Sequence, residues 1–369
     1  MTRPAIYLDH NASAPLLPEA REAVLATLAL TGNPSSVHGH GRALRNLIED
    51  TRDRVARLAG AQRSQVVFTS SATEAITQAI VGSIKALGIR RIVVSAGEHQ
   101  AVLKAAEMTG LPVDLVGLDA NGVIKADEIV LGEVPTLVCM QWVNNETGVV
   151  QPVGRIGAIV GPTPHYLFVD AVQAFGKLPL DFAASPADMM AVSAHKIGGP
   201  AGIGALLVKA HADGVRLIPG GGQEQNRRGG TESAALIAGF GAAAEAFPRR
   251  YDVAAVAKLV ETVESGIGGV VFGTDVERIG NTVNFAVPGL GNAVAMMGLD
   301  LLGISVSSGS ACSSGKVGPS HVLKAMGVDQ ALAECALRVS LGWNTTAEEV
   351  TAFLAGFETV LERHRKRAA

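Results

Sequence analysis

The chain has 369 residues, of which 48% are hydrophobic and 18% charged, with 43 glycines and a net charge of -3. That balance excludes a disordered chain, and the small negative charge argues against a nucleic-acid or membrane-surface binder. The length exceeds what one hydrophobic core usually supports, so two domains are expected.

At the N-terminus, Tyr7-Leu8-Asp9-His10 turns polar too early for the apolar core of a signal peptide. From about residue 18 to residue 209 strands and helices alternate. Val66–Thr69 precedes a helix from Thr73, and Arg91–Ser95 precedes one from Glu98. Val113–Leu118, Leu137–Val143, Tyr166–Asp170 and Met189–Val192 follow as strands. This is the pattern of an α/β layer with a mainly parallel sheet. Functional side chains in such sheets gather at the carboxyl ends of strands, which here carry Ser70-Ser71-Ala72-Thr73, Glu98-His99, Asn144-Asn145-Glu146, Asp170 and His195-Lys196.

After the glycine-rich Gly220-Gly221-Gly222 and Arg227-Arg228-Gly229-Gly230-Thr231, apolar helices are expected over 232–247 and 253–267. Strands Val270–Phe272, Thr282–Val287, Ile304–Ser307 and Arg338–Leu341 then alternate with helices, the last opened by the capping box Thr345-Thr346-Ala347-Glu348-Glu349. A large domain over 16–250 and a smaller α+β domain from 1–15 and 251–369 are expected. The uncharged stretch 279–299 is interrupted by Asn281, Asn284, Pro288 and Asn292, so no membrane span is expected. Cys139, Cys312 and Cys335 are odd in number and irregularly spaced, which fits neither a disulfide framework nor a metal site and points to a cytoplasmic, reducing location. The basic end Arg363-His364-Arg365-Lys366-Arg367 reads as the solvated close of a last helix, not a nucleic-acid patch.

Lys196 stands at the end of an apolar strand and runs into Gly198-Gly199-Pro200, whose glycines force a turn and admit a close neighbour. A desolvated amine there suits attack on a carbonyl, although a surface lysine before a loop fits the same local pattern. Asp170 closes its own strand and Gln173 follows at a spacing that lets both touch one planar ring. An aspartate beneath a pyridine nitrogen keeps the nitrogen protonated. Thr73 opens a helix after Ser70-Ser71-Ala72, where backbone N–H groups suit a phosphate, and Ser193, His195 and Thr231 add donors. Taken singly, Asp170, Thr73 and Thr231 also fit ordinary capping.

Together with Tyr7-Leu8-Asp9-His10-Asn11-Ala12, Gly32-Asn33-Pro34-Ser35-Ser36-Val37-His38, Ser71-Ala72-Thr73-Glu74, Gly97-Glu98-His99-Gln100-Ala101-Val102, Asn144-Asn145-Glu146-Thr147-Gly148 and Asp170-Ala171-Val172-Gln173, the lysine segment resembles the class V aminotransferase family of pyridoxal-phosphate enzymes. Within it the chain resembles the cysteine desulfurases of the NifS and IscS type, nearly end to end. The resemblance implies the type I fold of pyridoxal 5'-phosphate-dependent transferases, with a seven-stranded large-domain sheet, a small domain and a homodimer with shared sites. It implies that Lys196 bonds the cofactor, that Asp170 partners the pyridine nitrogen, and that Gln173 meets the ring hydroxyl. Ala72, Thr73, Ser193 and His195 would hold the phosphate with Thr231 of the partner subunit, and His99 would stack on the ring. Asn145 would lie near the ring hydroxyl and the substrate carboxylate, which Arg338 would grip.

Cys312 names the reaction. It lies in Ser307-Ser308-Gly309-Ser310-Ala311-Cys312-Ser313-Ser314-Gly315, small residues that cannot build core, so an exposed, mobile functional thiol is expected, whereas Cys139 and Cys335 have apolar surroundings. The resemblance is to the group I loop. It implies that L-cysteine is converted to L-alanine with a persulfide left on Cys312, for delivery to iron–sulfur assembly or tRNA thiolation. Lys316-Val317-Gly318-Pro319 departs from the Leu-Glu-Pro pattern of relatives, and the end soon after Arg367 makes docking to an iron–sulfur scaffold a weaker expectation. A selenocysteine lyase, a transaminase or a non-catalytic dimeric module are the alternatives. A nucleotide-binding fold is disfavoured because no glycine cluster matches a phosphate-binding loop motif.

Overall fold

Uninterrupted apolar runs, buried on both faces as a helix-covered parallel sheet requires, build the centre of the molecule. The structure, a computed structural model, describes residues 5–161, 164–308 and 320–368. In chain order its elements are β1 (Ile6–Tyr7), α1 (Pro18–Leu28), α2 (Gly39–Ala59), β2 (Val66–Thr69), α3 (Ala72–Ala86), β3 (Arg91–Ser95), α4 (Gln100–Met108), β4 (Val113–Val116), β5 (Thr136–Gln141), α5 (Val153–Val160), β6 (Tyr166–Asp170), β7 (Met189–Ser193) and β8 (Gly204–Val208). There follow α6 (Gln223–Asn226), α7 (Ala234–Arg250), α8 (Val253–Gly266), β9 (Val270–Val271), β10 (Thr282–Ala286), α9 (Asn292–Asp300), β11 (Ile304–Ser305), α10 (His321–Ala325), α11 (Gln330–Ala333), β12 (Ala336–Ser340) and α12 (Ala347–Ala368).

The seven-stranded sheet has the order β2-β8-β7-β6-β5-β3-β4. Every pairing in it is parallel except those of β8, which runs antiparallel to both β2 and β7. The expected mainly parallel sheet is therefore present, with one reversed strand that the glycine turn after Lys196 feeds. Because β8 alone is reversed, β2, β3, β4, β5, β6 and β7 all end at the same edge.

Two small sheets stand beside it. β12-β10-β9 is antiparallel, and β1 pairs in parallel with β11. The chain start is thus stitched to the C-terminal part, and Leu8, Phe285, Phe353 and Phe357 share one continuous core with the large sheet.

The helix starts shift for a physical reason. Ser71, and not Thr73, is the cap of α3, its side chain accepting from Glu74 N at 3.2 Å. His99 caps α4 with Nδ1, so that helix opens at Gln100 instead of Glu98. The capping box before α12 forms as expected, with Thr346 N donating to Glu349 Oε2 at 3.0 Å and Glu349 N to Thr346 Oγ1 at 3.3 Å.

Candidate active site

The strand ends converge on a cavity of about 430 Å³ whose wall includes Ala72, Thr73, His99, Asn145, Asp170, Gln173, Ser193, His195, Lys196 and Arg338. These are the expected site residues apart from Thr231 and Cys312. Thr231 lines a separate, smaller cavity with Glu224, Arg228 and Glu232. Cys312 lies outside the described residues.

Lys196 leaves β7 through a single turn and is half-buried. Its Nζ donates to the carbonyl oxygens of Asn11 at 2.6 Å and Ala12 at 2.8 Å. Both of these acceptors are backbone carbonyls. Asp170, on the neighbouring strand end, is 7% exposed. Burial pushes its carboxyl up from the ordinary range, while the Val172 N–H at 3.0 Å and the charges of His99 and Lys196 pull it back. Gln173 is buried and donates from Nε2 to Asn11 O at 3.0 Å.

At the other end of the cavity the first turn of α3 presents the N–H groups of Ala72 and Thr73. Gly204 lets this turn sit close to β8, because a Cβ there would meet Ala72 N and Ser71 C at 2.8 Å and Val192 O at 2.9 Å. Ser193 adds a buried hydroxyl. The His195 imidazole is brought down to about 4, chiefly by burial and then by Lys196 and Lys177, so it is a neutral donor at physiological pH.

His99 accepts at Nδ1 from Ala101 N at 3.1 Å, which leaves Nε2 as the protonated nitrogen of its neutral form. Arg338 is 2% exposed, donating from Nη2 to Asp9 Oδ1 at 2.6 Å and from Nη1 to Asn145 O at 3.1 Å. Its Nε is buried with no hydrogen-bond partner among the described residues, an unused donor in a cavity wall.

Three contributors escaped the sequence reading. Asn11 belongs to a quoted motif but was given no role, yet its carbonyl accepts from both Lys196 and Gln173. Glu98 is buried with its carboxyl raised well above the usual range, first by burial and then by Asp170, and it accepts at Oε1 from Gln141 N at 2.7 Å. Lys177 lies behind Gln173. Each acts through tertiary contacts: Glu98 stood among the strand-end residues and Asn11 in a quoted motif, but neither position shows its partners.

The cavity fits the cofactor that the resemblance implies. One end offers helix N–H groups, a hydroxyl and a neutral imidazole for a phosphate, and the middle offers a buried carboxylate, an amide and an imidazole for a pyridine ring. The amine of Lys196 and the guanidinium of Arg338 complete it with groups for an aldehyde and a carboxylate.

The class-V aminotransferase family matches residues 6–353. A cysteine desulfurase IscS of Dictyoglomus turgidum is 35% identical over 98% of this chain and 95% of its own length. A cysteine desulfurase of Cereibacter sphaeroides is 39% identical over 98% of this chain and 96% of its own. Among solved structures, the NifS-like protein of Rickettsia africae superposes with a TM-score of 0.87 at 30% identity, covering 97% of this chain and 99% of that one.

Proposed function

The chain belongs to the class-V aminotransferase family and is a pyridoxal-phosphate-dependent cysteine desulfurase, and from that premise we propose how its residues divide the work. The observation that carries the assignment is the convergence of Lys196, Asp170, Gln173, His99 and Arg338 on one cavity.

When bound, pyridoxal phosphate supplies a carbonyl that joins to amines and a protonated ring that draws electron density from the substrate's α-carbon. Ala72, Thr73, Ser193 and His195 hold the phosphate, with Thr231 contributed across the interface of a homodimer. Asp170 would keep a proton on the ring nitrogen, Gln173 would donate to the ring hydroxyl, and His99 would lie against the ring. Arg338, held by Asp9, takes the carboxylate of L-cysteine with Asn145 beside it. Lys196 would hold the carbonyl end of the cofactor, and its amine, once free, would accept the α-proton of the substrate.

Cys312 acts as thiolate on the substrate's sulfur. A sulfur–sulfur bond forms and the carbon–sulfur bond breaks, its electron pair staying with the carbon fragment, which takes up one proton at the β-carbon, regains the α-proton from Lys196 and leaves as alanine. The flanks of the Cys312 segment support this role. On one side Ser307 N and O pair with Arg338 O and N at 3.1 and 2.6 Å. On the other, Ser320 Oγ donates to Glu146 Oε2, and His321 Nε2 donates to Glu98 O at 2.9 Å.

The large domain is assigned to 16–250 and the small one to 1–15 with 251–369. No helix among the described residues is long and apolar enough to cross a membrane. Cysteine usage favours the cytoplasm, and iron–sulfur assembly or tRNA thiolation is the destination of the sulfur.

Protein loaded with pyridoxal phosphate is expected to convert L-cysteine to equal amounts of alanine and sulfide when a thiol reductant is present. Cys312→Ala is expected to keep the cofactor's absorption and lose sulfide release by about a hundredfold or more. Full persulfide formation in that variant would remove Cys312 from the mechanism, and turnover that depends on a ketoacid instead would favour a transaminase.

A further inference from the structure

One buried charge beside the cavity is left without a task by this mechanism. Lys177 is 5% exposed, and its Nζ donates to Gln173 Oε1 at 2.9 Å and to Asn11 Oδ1 at 3.5 Å. These acceptors are amide oxygens rather than carboxylates, an uncommon setting for a buried amine. The groups around it are cationic or titrate to a cation. Lys196 and Arg338 act on its amine after the larger effect of burial, and together they bring it down to about 7. His10 and His195 are in turn held neutral partly by Lys177, and Asp9 is engaged by Arg338.

The pairing fixes an orientation. A protonated lysine amine can only donate, and a backbone carbonyl, which fixes Nε2 whatever the charge on Lys177, can only accept. Gln173 Oε1 must therefore face Lys177, and Nε2 must face Asn11 O, where it lies at 3.0 Å. That leaves the second Nε2 hydrogen for the cavity that Gln173 lines. Were the amide reversed, a carbonyl oxygen would face the cavity and two donors would meet at Lys177, one of them left without an acceptor.

We propose that Lys177 is a positioning residue that, by claiming Gln173 Oε1, locks the Gln173 amide with its N–H side toward the cavity, where it stabilises the cofactor's ring oxygen as an anion. This rests on the reading above that Gln173 meets the ring hydroxyl. Its consequence is electrostatic: the ring oxygen keeps its negative charge, and the neighbouring nitrogen bonded to Lys196 loses its proton at lower pH than it would otherwise.

The experiment is a pH titration of the absorption band of the bound cofactor in the holoenzyme, with no substrate. Lys177→Met, close in length and apolar, is expected to raise the titration midpoint by about one unit, and Lys177→Arg, which also only donates, to restore it. A double-mutant cycle identifies the route. In a Gln173→Ala background Lys177→Met should add little further shift, because its effect passes through the amide. An equal shift in both backgrounds, or none in wild type, would overturn the proposal. If Gln173→Ala alone leaves the midpoint unmoved, it is the reading of Gln173 that fails, and the proposal with it. Should Lys177→Met not bind the cofactor, Lys177→Leu serves instead: it presents neither donor nor acceptor to Gln173, so a raised midpoint supports the lock and an unchanged one refutes it.

Discussion

Burial sets the protonation of the site's basic residues, and it does so against the usual expectation that cations line an anion site. His195 and His10 both come down to about 4, each chiefly through burial, and Lys177 to about 7. A phosphate therefore meets neutral donors from His195 and the α3 turn. For Lys177 the sign for stability follows from linkage. Below about 7 the amine is protonated in folded and unfolded chains alike, and the folded state carries the penalty of a buried charge. Above that point the folded chain releases the proton while the unfolded chain keeps it to its ordinary 10.5, so stability rises with pH across this window. Denaturation of the cofactor-free protein between pH 7.5 and 9.5 is expected to show this rise, with a slope smaller by about one proton in Lys177→Met. At this scale much was legible in the sequence. Lys196, Asp170 and Gln173 stand at strand ends where chemistry is expected, and the structure brings them together. Asn11 and Lys177 were not legible, because their partners lie more than 160 residues away as for Asn11 and Gln173, or matter only once Gln173 has been placed.

The elements place these residues by how they end. Six strands finish at one edge because β8, the only reversed strand of the large sheet among the described residues, does not contribute its carboxyl end there. The glycine run after Lys196 was legible as a turn, but not as the entry to a strand of opposite direction, since a tight reversal and a crossover share the same small residues. The starts of α3 and α4 were displaced by one or two residues, as capping side chains define them and hydrophobic periodicity does not. Gly204 shows how little freedom the phosphate turn has. In Gly204→Ala the new methyl would press on backbone atoms of Ser71, Ala72 and Val192, none of which is a flexible side-chain end. A loss of about 1–3 kcal/mol in stability is expected from such overpacking, together with weaker cofactor binding, checked by denaturation and by cofactor titration of the same variant.

Across the whole molecule a second buried constraint shapes the segment that carries Thr231. Glu224, Gln225 and Asn226 hold φ values of 47°, 57° and 67°, a left-handed conformation that costs energy for residues with a Cβ. The Glu224 carboxylate holds this stretch down, accepting from Arg52 Nη1 and Nη2 at 2.6 and 2.7 Å and from Phe68 N at 2.8 Å. That clamp ties the glycine-rich segment to β2, and the sequence carried no sign of it beyond the glycines. The seven-stranded sheet and the C-terminal strands were legible from apolar runs, which report burial directly, whereas a pair of charges 172 residues apart reports nothing locally.

Asn11 has a consequence at this scale as well. Its carbonyl meets Lys196 and Gln173, its amide donates to Thr282 Oγ1 at 2.8 Å and Asn145 O at 3.1 Å, its Oδ1 accepts from Asn281 at 3.1 Å, and its N–H donates to Ser340 Oγ at 2.9 Å. The strands β10 and β12 are thereby bonded to the same residue that holds the cofactor lysine. Calorimetry of the loaded enzyme should give one heat-absorption peak, moving upward with free cofactor by the logarithm of its concentration. In Asn11→Ala that peak should divide, the cofactor protecting only the part it touches. A single residue near the chain start would then decide whether a small molecule at one sheet edge reports on the melting of the other sheet.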